Sequence, residues 1–157
     1  QLKLNEIRDW VQKQKKLYED YFEELKKVKS AIANYKRVKD IIEMQVAMVN
    51  EYKGAWALFR QDKNFTAEEL EYMLNIYTGM MDESIKNIDQ LFMVVNAFAT
   101  QMADAKRLEI INGVADNVQQ QLLDMKEFNS QNKMLSLQRA SEKGEIEYVK
   151  RLYGLSR

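Results

Sequence analysis

The sequence predicts an all-α chain, an elongated antiparallel helical bundle or coiled coil of two long helices with a shorter helical pair between them. Three observations carry that expectation. There is no proline in 157 residues, and proline is the residue that most often interrupts a helix. Apolar residues recur at three-then-four spacing through most of the chain, and no stretch alternates with the period of a strand. No internal repeat longer than the heptad appears. The expected organisation is one domain over 1–157, with long helices at about 2–60 and 105–153 and a helical appendage at about 65–103.

The first helix is read from Leu2 to about Arg60. Its seam is Leu4, Ile7, Val11, Gln14, Tyr18, Tyr21, Leu25, Val28, Ile32, Tyr35, Lys39, Ile42, Val46, Val49, Lys53 and Trp56. Thirteen of these sixteen positions are apolar or aromatic, and the spacing averages about 3.5, that of a coiled-coil seam. At 1.5 Å per residue such a helix runs roughly 85 to 90 Å. Gln14, Lys39 and Lys53 interrupt the seam with polar groups.

The pattern stops in the polar stretch 61–64, and a capping box comes next. In Thr66-Ala67-Glu68-Glu69 the Thr66 hydroxyl can accept from the Glu69 amide while the Glu69 carboxylate reaches back to the Thr66 amide. Phe65 and Leu70 stand where a hydrophobic staple would close. A helix is therefore expected from Ala67, with Gly79 as its end and a new helix from Asp82, whose early acidic residues suit a helix N-terminus. Ile85, Ile88, Phe92, Val95, Ala99 and Met102 continue the apolar rhythm. It then changes to successive threes at Ala105, Leu108 and Ile111, which predicts a break between Thr100 and Asp104 with Asp104 as the next N-cap. A continuous helix with a local stammer is the alternative.

The last helix is read from Ala105 to about Tyr153. Its seam turns polar at Asn132, Arg139 and Glu142, which are expected to set register against polar seam residues of the first helix such as Gln14. Gly144 weakens this helix, and Gly154 suits a C-terminal cap.

Charge is balanced overall, 24 basic against 24 acidic residues, but unevenly placed. Residues 1–40 carry eleven basic and seven acidic groups, residues 61–100 two and seven, and residues 133–157 six and three. With antiparallel long helices, both basic stretches would meet at one end of a rod and the acidic segment would form the other. Lys13, Lys15 and Lys16 are the strongest nucleic-acid candidates, yet interleaved acids make them a solvated face, and no direct nucleic-acid binding is expected.

The chain has no histidine and no cysteine. It therefore lacks the usual general base, the commonest metal ligand and any thiol nucleophile. Its five glycines are scattered singly, so no phosphate loop forms. No catalytic, cofactor or metal site is expected. No apolar run approaches the length of a membrane span. Gln1 is not an initiator methionine, so a processed or trimmed chain is expected, from which any signal peptide would already be gone. Tyr72, Tyr77, Met80 and Met81 are the partner-contact candidates, because aromatic and methionine side chains recur on contact surfaces; packing of the helical tip is the competing use. An apolar edge on a two-helix stretch would also leave room for a homo-oligomer.

The strings YKGAWALFRQDKNFTAEELEYMLNIYTG, SIKNIDQLF, RLEIIN and LSLQRASEKGEIEYVKRLYGL, with the opening NEIRDWVQKQKKLYEDYFEELKKVKSAI, resemble the TraI-type conjugal-transfer proteins of conjugative transposons, a group distinct from the relaxases that share that label. The resemblance covers nearly the whole chain and rests on the joint order of these strings, none of which is a chemical motif. It implies a non-enzymatic helical protein of the periplasm or cell envelope, partnered by other proteins of a type IV secretion apparatus. The expected shape is also similar to minor pilus subunits of such systems, a likeness at the level of fold. The alternative is a cytoplasmic coiled-coil scaffold that joins helical partners.

Overall fold

A computed structural model describes residues 5, 6, 8, 9, 12, 13, 16, 31–96 and 102–155, the side chains of 31–35, 92, 95 and 96 excepted. The seam positions from Leu4 to Tyr35, Gln14 among them, and also Phe92, Val95, Ala99 and Thr100, lie outside the described residues or side chains. Among the described residues all regular structure is helical: α1 (Ala31–Phe59), α2 (Ala67–Asn96), α3 (Asp104–Glu142) and α4 (Ile146–Leu152). None of these helices is long and apolar enough to cross a membrane.

The capping box opens α2 as the sequence predicts. The Glu69 amide donates to Thr66 Oγ1 at 3.1 Å and the Thr66 amide donates to Glu69 Oε1 at 3.0 Å. The far end of the helix differs from expectation, because α2 does not end at Gly79 but continues to Asn96. Glycine in a helix interior costs about 1 kcal/mol relative to alanine. The buried face on either side, Met73, Tyr77, Met81, Ile88, Leu91 and Val94, outweighs that penalty many times over.

This continuity decides the topology. Thirty residues of helix extend roughly 45 Å, enough to return the chain along the whole of α1. Cross-links between helices show the outcome. Along α1 and α3 the partners rise together: Arg37 Nε donates to Asn112 Oδ1 at 3.2 Å, Asn129 Nδ2 to Glu51 Oε1 at 3.2 Å, and Ser136 Oγ to Asp62 Oδ2 at 2.6 Å. Against α2 they run in opposite order, Gln45 Nε2 donating to Ser84 O at 3.0 Å while the Tyr52 and Tyr77 rings meet at 4.9 Å. The fold is an up-down-up three-helix bundle, so α1 and α3 are parallel. The antiparallel pairing expected of the long helices is corrected, because it assumed a short, broken pair between them. The electrically polar rod required that antiparallel pairing; among the described residues, Lys36, Arg37 and Lys39 of the 1–40 basic stretch stand at the start of α1, the end of the bundle away from 133–152, and the rest of that stretch lies outside the described residues.

Two neighbours per helix also widen the buried stripes. On α1 the core face is Val38, Ile41, Ile42, Gln45, Met48, Val49, Tyr52, Ala55, Trp56 and Phe59, the broad stripe of a helix wedged between two others. Lys39 and Lys53 are exposed and belong to no seam. On α3, Ile111, Val114, Ala115, Val118 and Met125 are buried, whereas the predicted seam residue Leu108 is 39% exposed.

Two boundaries move as well. Asp104 is the first residue of α3 rather than its cap; Ala103 caps it in extended conformation with no side-chain bond, and Asp104 Oδ1 accepts from Arg107 Nη1 at 2.7 Å. The last long helix breaks at Gly144, which adopts φ 72°. The Glu145 amide donates to Ala140 O at 2.7 Å and the Gly144 amide to Ser141 O at 3.2 Å, the paired bonds of a Schellman motif, which needs a residue free to take positive φ. Gly154, at φ 66°, ends α4 in the same way.

The two glycines should therefore respond oppositely to alanine. Gly79→Ala adds a Cβ that meets nothing within 4 Å, and should raise unfolding free energy in urea by about 0.8 to 1 kcal/mol. Gly144→Ala must hold a left-handed backbone and should lower it by about 1 kcal/mol. A destabilising Gly79→Ala would contradict the continuous α2.

Candidate functional site

The described polar groups fall into two sets, those spent inside the bundle and those turned outward. The inner set is concentrated where α1 ends, α2 begins and α4 folds back. Asp62 is 2% exposed, held by a turn in which its own Oδ1 accepts from the Asn64 amide at 2.9 Å, the aspartate turn chemistry that replaces a backbone bond. Its Oδ2 accepts from Ser136 Oγ of α3 and from the Tyr153 hydroxyl after α4, both at 2.6 Å. Burial, and then the bond to Asp62, push the Tyr153 phenol far above its ordinary range, so it stays a donor. Beneath them the Phe59 ring meets Phe65 at 5.6 Å and Tyr153 at 5.8 Å, edge to face.

Beside this cluster Arg139 binds Glu69 through two parallel bonds of 2.8 Å, Nη1 to Oε1 and Nη2 to Oε2, and donates a third from Nη1 to Asn64 O at 2.8 Å. The fork geometry of guanidinium on carboxylate makes this the strong form of an ion pair. The Arg139 bond first, then the Thr66 amide, lower the Glu69 carboxyl to about 2. Higher in the bundle Tyr77 is fully buried and donates to Asn129 Oδ1, while Asn129 Nδ2 bonds Glu51. Burial and then the Glu51 charge raise the Tyr77 phenol.

The residues singled out from sequence therefore divide. Tyr77 and Met81 are core, 0% and 1% exposed, which corrects their place among contact candidates; aromatic and thioether side chains fill the three-helix interior. Tyr72 is 62% exposed and Met80 half-buried. Of the register candidates, Arg139 ties α3 to α2 rather than to the first helix. Asn132 Nδ2 bonds Phe128 O of its own helix at 2.9 Å, and Glu142 is exposed, so neither sets register between helices. Gln45, Asp62, Asn129 and Ser136 do that work and were missed. Gln45, Asn129 and Ser136 stand on core faces among apolar residues, where a polar residue at a buried helical position was the signal available; Asp62 lies in the turn after α1, where no helical period marks it.

Outward, several grooves line the bundle; one of about 420 Å³ lies between α1 and α3 beside Met44, Ala47 and Leu122, and two more involve α3 and α2. One of these two, of about 740 Å³, runs along α3 beside Met134, Leu135, Leu137, Ser130 and Gln138. The other, about 340 Å³, lies between α2 and α3, with Ile76, Gly79 and Met80 along its base and Glu83, Gln121 and Asp124 among its edges. Among the described residues no group of three or more acidic side chains stands close enough to hold a metal ion. The site thus defines a class, a three-helix bundle fastened by buried polar ties and presenting grooved outer faces. No family model, no curated protein and no solved structure matches the chain.

Removing Asp62 leaves three donors unpaired, so Asp62→Ala should lower stability by about 2 to 3 kcal/mol, read by urea unfolding; a loss below the measurement error would show the cluster to be incidental. Glu69→Gln keeps the capping bonds and removes the charge. Because the folded pKa of Glu69 is depressed, its contribution is complete above about 4.5 and lost as pH falls through about 2. Its side chain is 32% exposed, and with screening the contribution is about 1 to 2 kcal/mol. The difference between wild type and Glu69→Gln should be of that size at pH 7, shrink as pH falls below about 4.5 and vanish only below about pH 2.

Proposed function

We propose that this chain is a non-enzymatic structural or adhesive component of a conjugative-transposon type IV secretion apparatus, acting through protein contacts during DNA transfer between cells. One observation supports the contact reading. The polar groups inside the bundle, Asp62, Ser136, Tyr153, Asn129 and the Arg139–Glu69 pair, are each engaged in fastening one helix to another, while Tyr72 and the grooves face solvent. A protein so built offers surface and shape.

The apparatus and the periplasmic or envelope location are supported by the sequence resemblance alone, since the charge-polarised rod is gone. An elongated outline belongs to the same proposal, α3 with its 39 residues being roughly 58 Å long. Its partners are other proteins of the apparatus.

Deleting the coding sequence from the mobile element should abolish transfer to recipient cells while the element replicates normally, and the protein should fractionate with the periplasm or envelope. Unchanged transfer frequency from the deletion strain would refute the proposal. Recovery in the cytoplasmic fraction would favour a scaffold that joins helical partners there.

A further inference from the structure

The outer face of α2 is patterned like a seam with no partner among the described residues. Tyr72, Asn75, Gly79, Glu83, Lys86, Gln90 and Met93 recur at three or four residues, which puts them along one side of the helix, and all seven are exposed. Tyr72 and Met93 are 62% and 68% exposed at its two ends. At its centre lies the groove against α3, and at the centre of the groove lies Gly79.

Nothing among the described residues requires glycine there. Its φ is not positive, so no turn is made, and a Cβ would meet no atom within 4 Å. Its effect is to leave the base of the groove open between Ile76 and Met80. Small residues serve this purpose where a second helix must come close.

The charged residues that line the groove itself are both acidic. Glu83 and Asp124 flank the groove, and Glu68 and Glu71 are exposed toward the start of α2. Asp124 accepts from Gln120 Nε2 at 2.8 Å, an uncharged donor, and Glu83 is paired with Lys86 at 2.9 Å. Lys86 is the one basic residue within α2, against six acidic ones. The α3 groove has one acid, Glu127, among the uncharged edges Ser130, Gln131 and Gln138, with nothing to say what covers it.

We propose that the α2–α3 groove centred on Gly79 docks a basic amphipathic helix of a partner protein, its apolar side on Ile76, Met80 and Tyr72 and its lysines or arginines against Glu83 and Asp124. This is the helix-in-groove mode of recognition, with opposite charge at the rim fixing orientation and speeding encounter. It rests on the reading of the chain as a contact protein and not on the transfer apparatus. A deletion strain that transferred DNA normally would remove the apparatus and leave helix binding untouched.

The test is fluorescence anisotropy of the full chain with two synthetic helices that share one leucine face, one carrying lysine on its polar side and the other glutamate. The lysine helix should bind about tenfold tighter or more than the glutamate helix at low salt, and the difference should shrink as salt rises. Gly79→Leu fills the groove and should weaken the lysine helix by about tenfold or more, whereas Gly113→Leu, at another open helical glycine, should not. The double variant Glu83→Lys, Asp124→Lys changes only exposed groups and should reverse the preference. Equal binding of both helices, no binding of either, or indifference to Gly79→Leu would each overturn the proposal. So would a doubling of mass by light scattering that Gly79→Leu abolishes, which would assign the groove to a second copy of the chain.

Discussion

The length of α2 is the constraint on which the architecture depends. A helix that stopped at Gly79 would be about 20 Å long and could do no more than turn the chain at one end of α1. A helix of 30 residues carries the chain back along α1 and delivers α3 to the starting end. Three helices in sequence then alternate in direction, and the first and third must be parallel. The broad stripe of α1, the polar ties and the outer seam of α2 are all consequences of three helices sharing one interior.

Within that interior the apolar side chains supply the drive and the polar ones supply the register. Val38, Ile41, Met81, Ile111 and Met125 make non-directional contacts, which specify register less sharply than a hydrogen bond does. Gln45 on Ser84, Asn129 between Tyr77 and Glu51, and Ser136 on Asp62 fix it, since after a slide of one turn each would lose its partner in a medium where an unmade bond costs about 1 to 3 kcal/mol. The Asp62 cluster has a further consequence. It draws the α1–α2 turn, α3 and the segment after α4 onto one carboxyl group, so the end of the bundle is closed by chemistry rather than by loop length.

Much of this was legible in the sequence, and the reasons for the failures are physical. The helical class, the capping box at Thr66 and the cap at Gly154 are local, set by residues within a few positions of one another. The fate of Gly79 is not local. A lone glycine weakens a helix by an amount that burial of Tyr77 and Met81 easily exceeds, and no spacing rule shows how much burial awaits. Gly144 looks the same in sequence but takes a left-handed conformation, because a Schellman motif closes there. Tyr77 and Met81 were placed with Tyr72 and Met80 as contact residues for the same reason: the periodicity shows that they share a helix, but which side faces inward depends on where the other two helices lie. The register residues were sought at a seam drawn for two helices, and a third helix moved it.

The parallel order of α1 and α3 is the claim most directly open to measurement, and a chain without cysteine accepts paired spin labels cleanly. Labels at the exposed positions Lys36 and Asn112, compared by pulsed electron resonance with labels at Lys36 and Glu142, read the direction. Parallel helices predict a short distance, under about 25 Å, for the first pair and one longer by roughly 45 Å of helical rise along the bundle axis for the second. A short distance for Lys36 with Glu142 and a long one for Lys36 with Asn112 would contradict the parallel order.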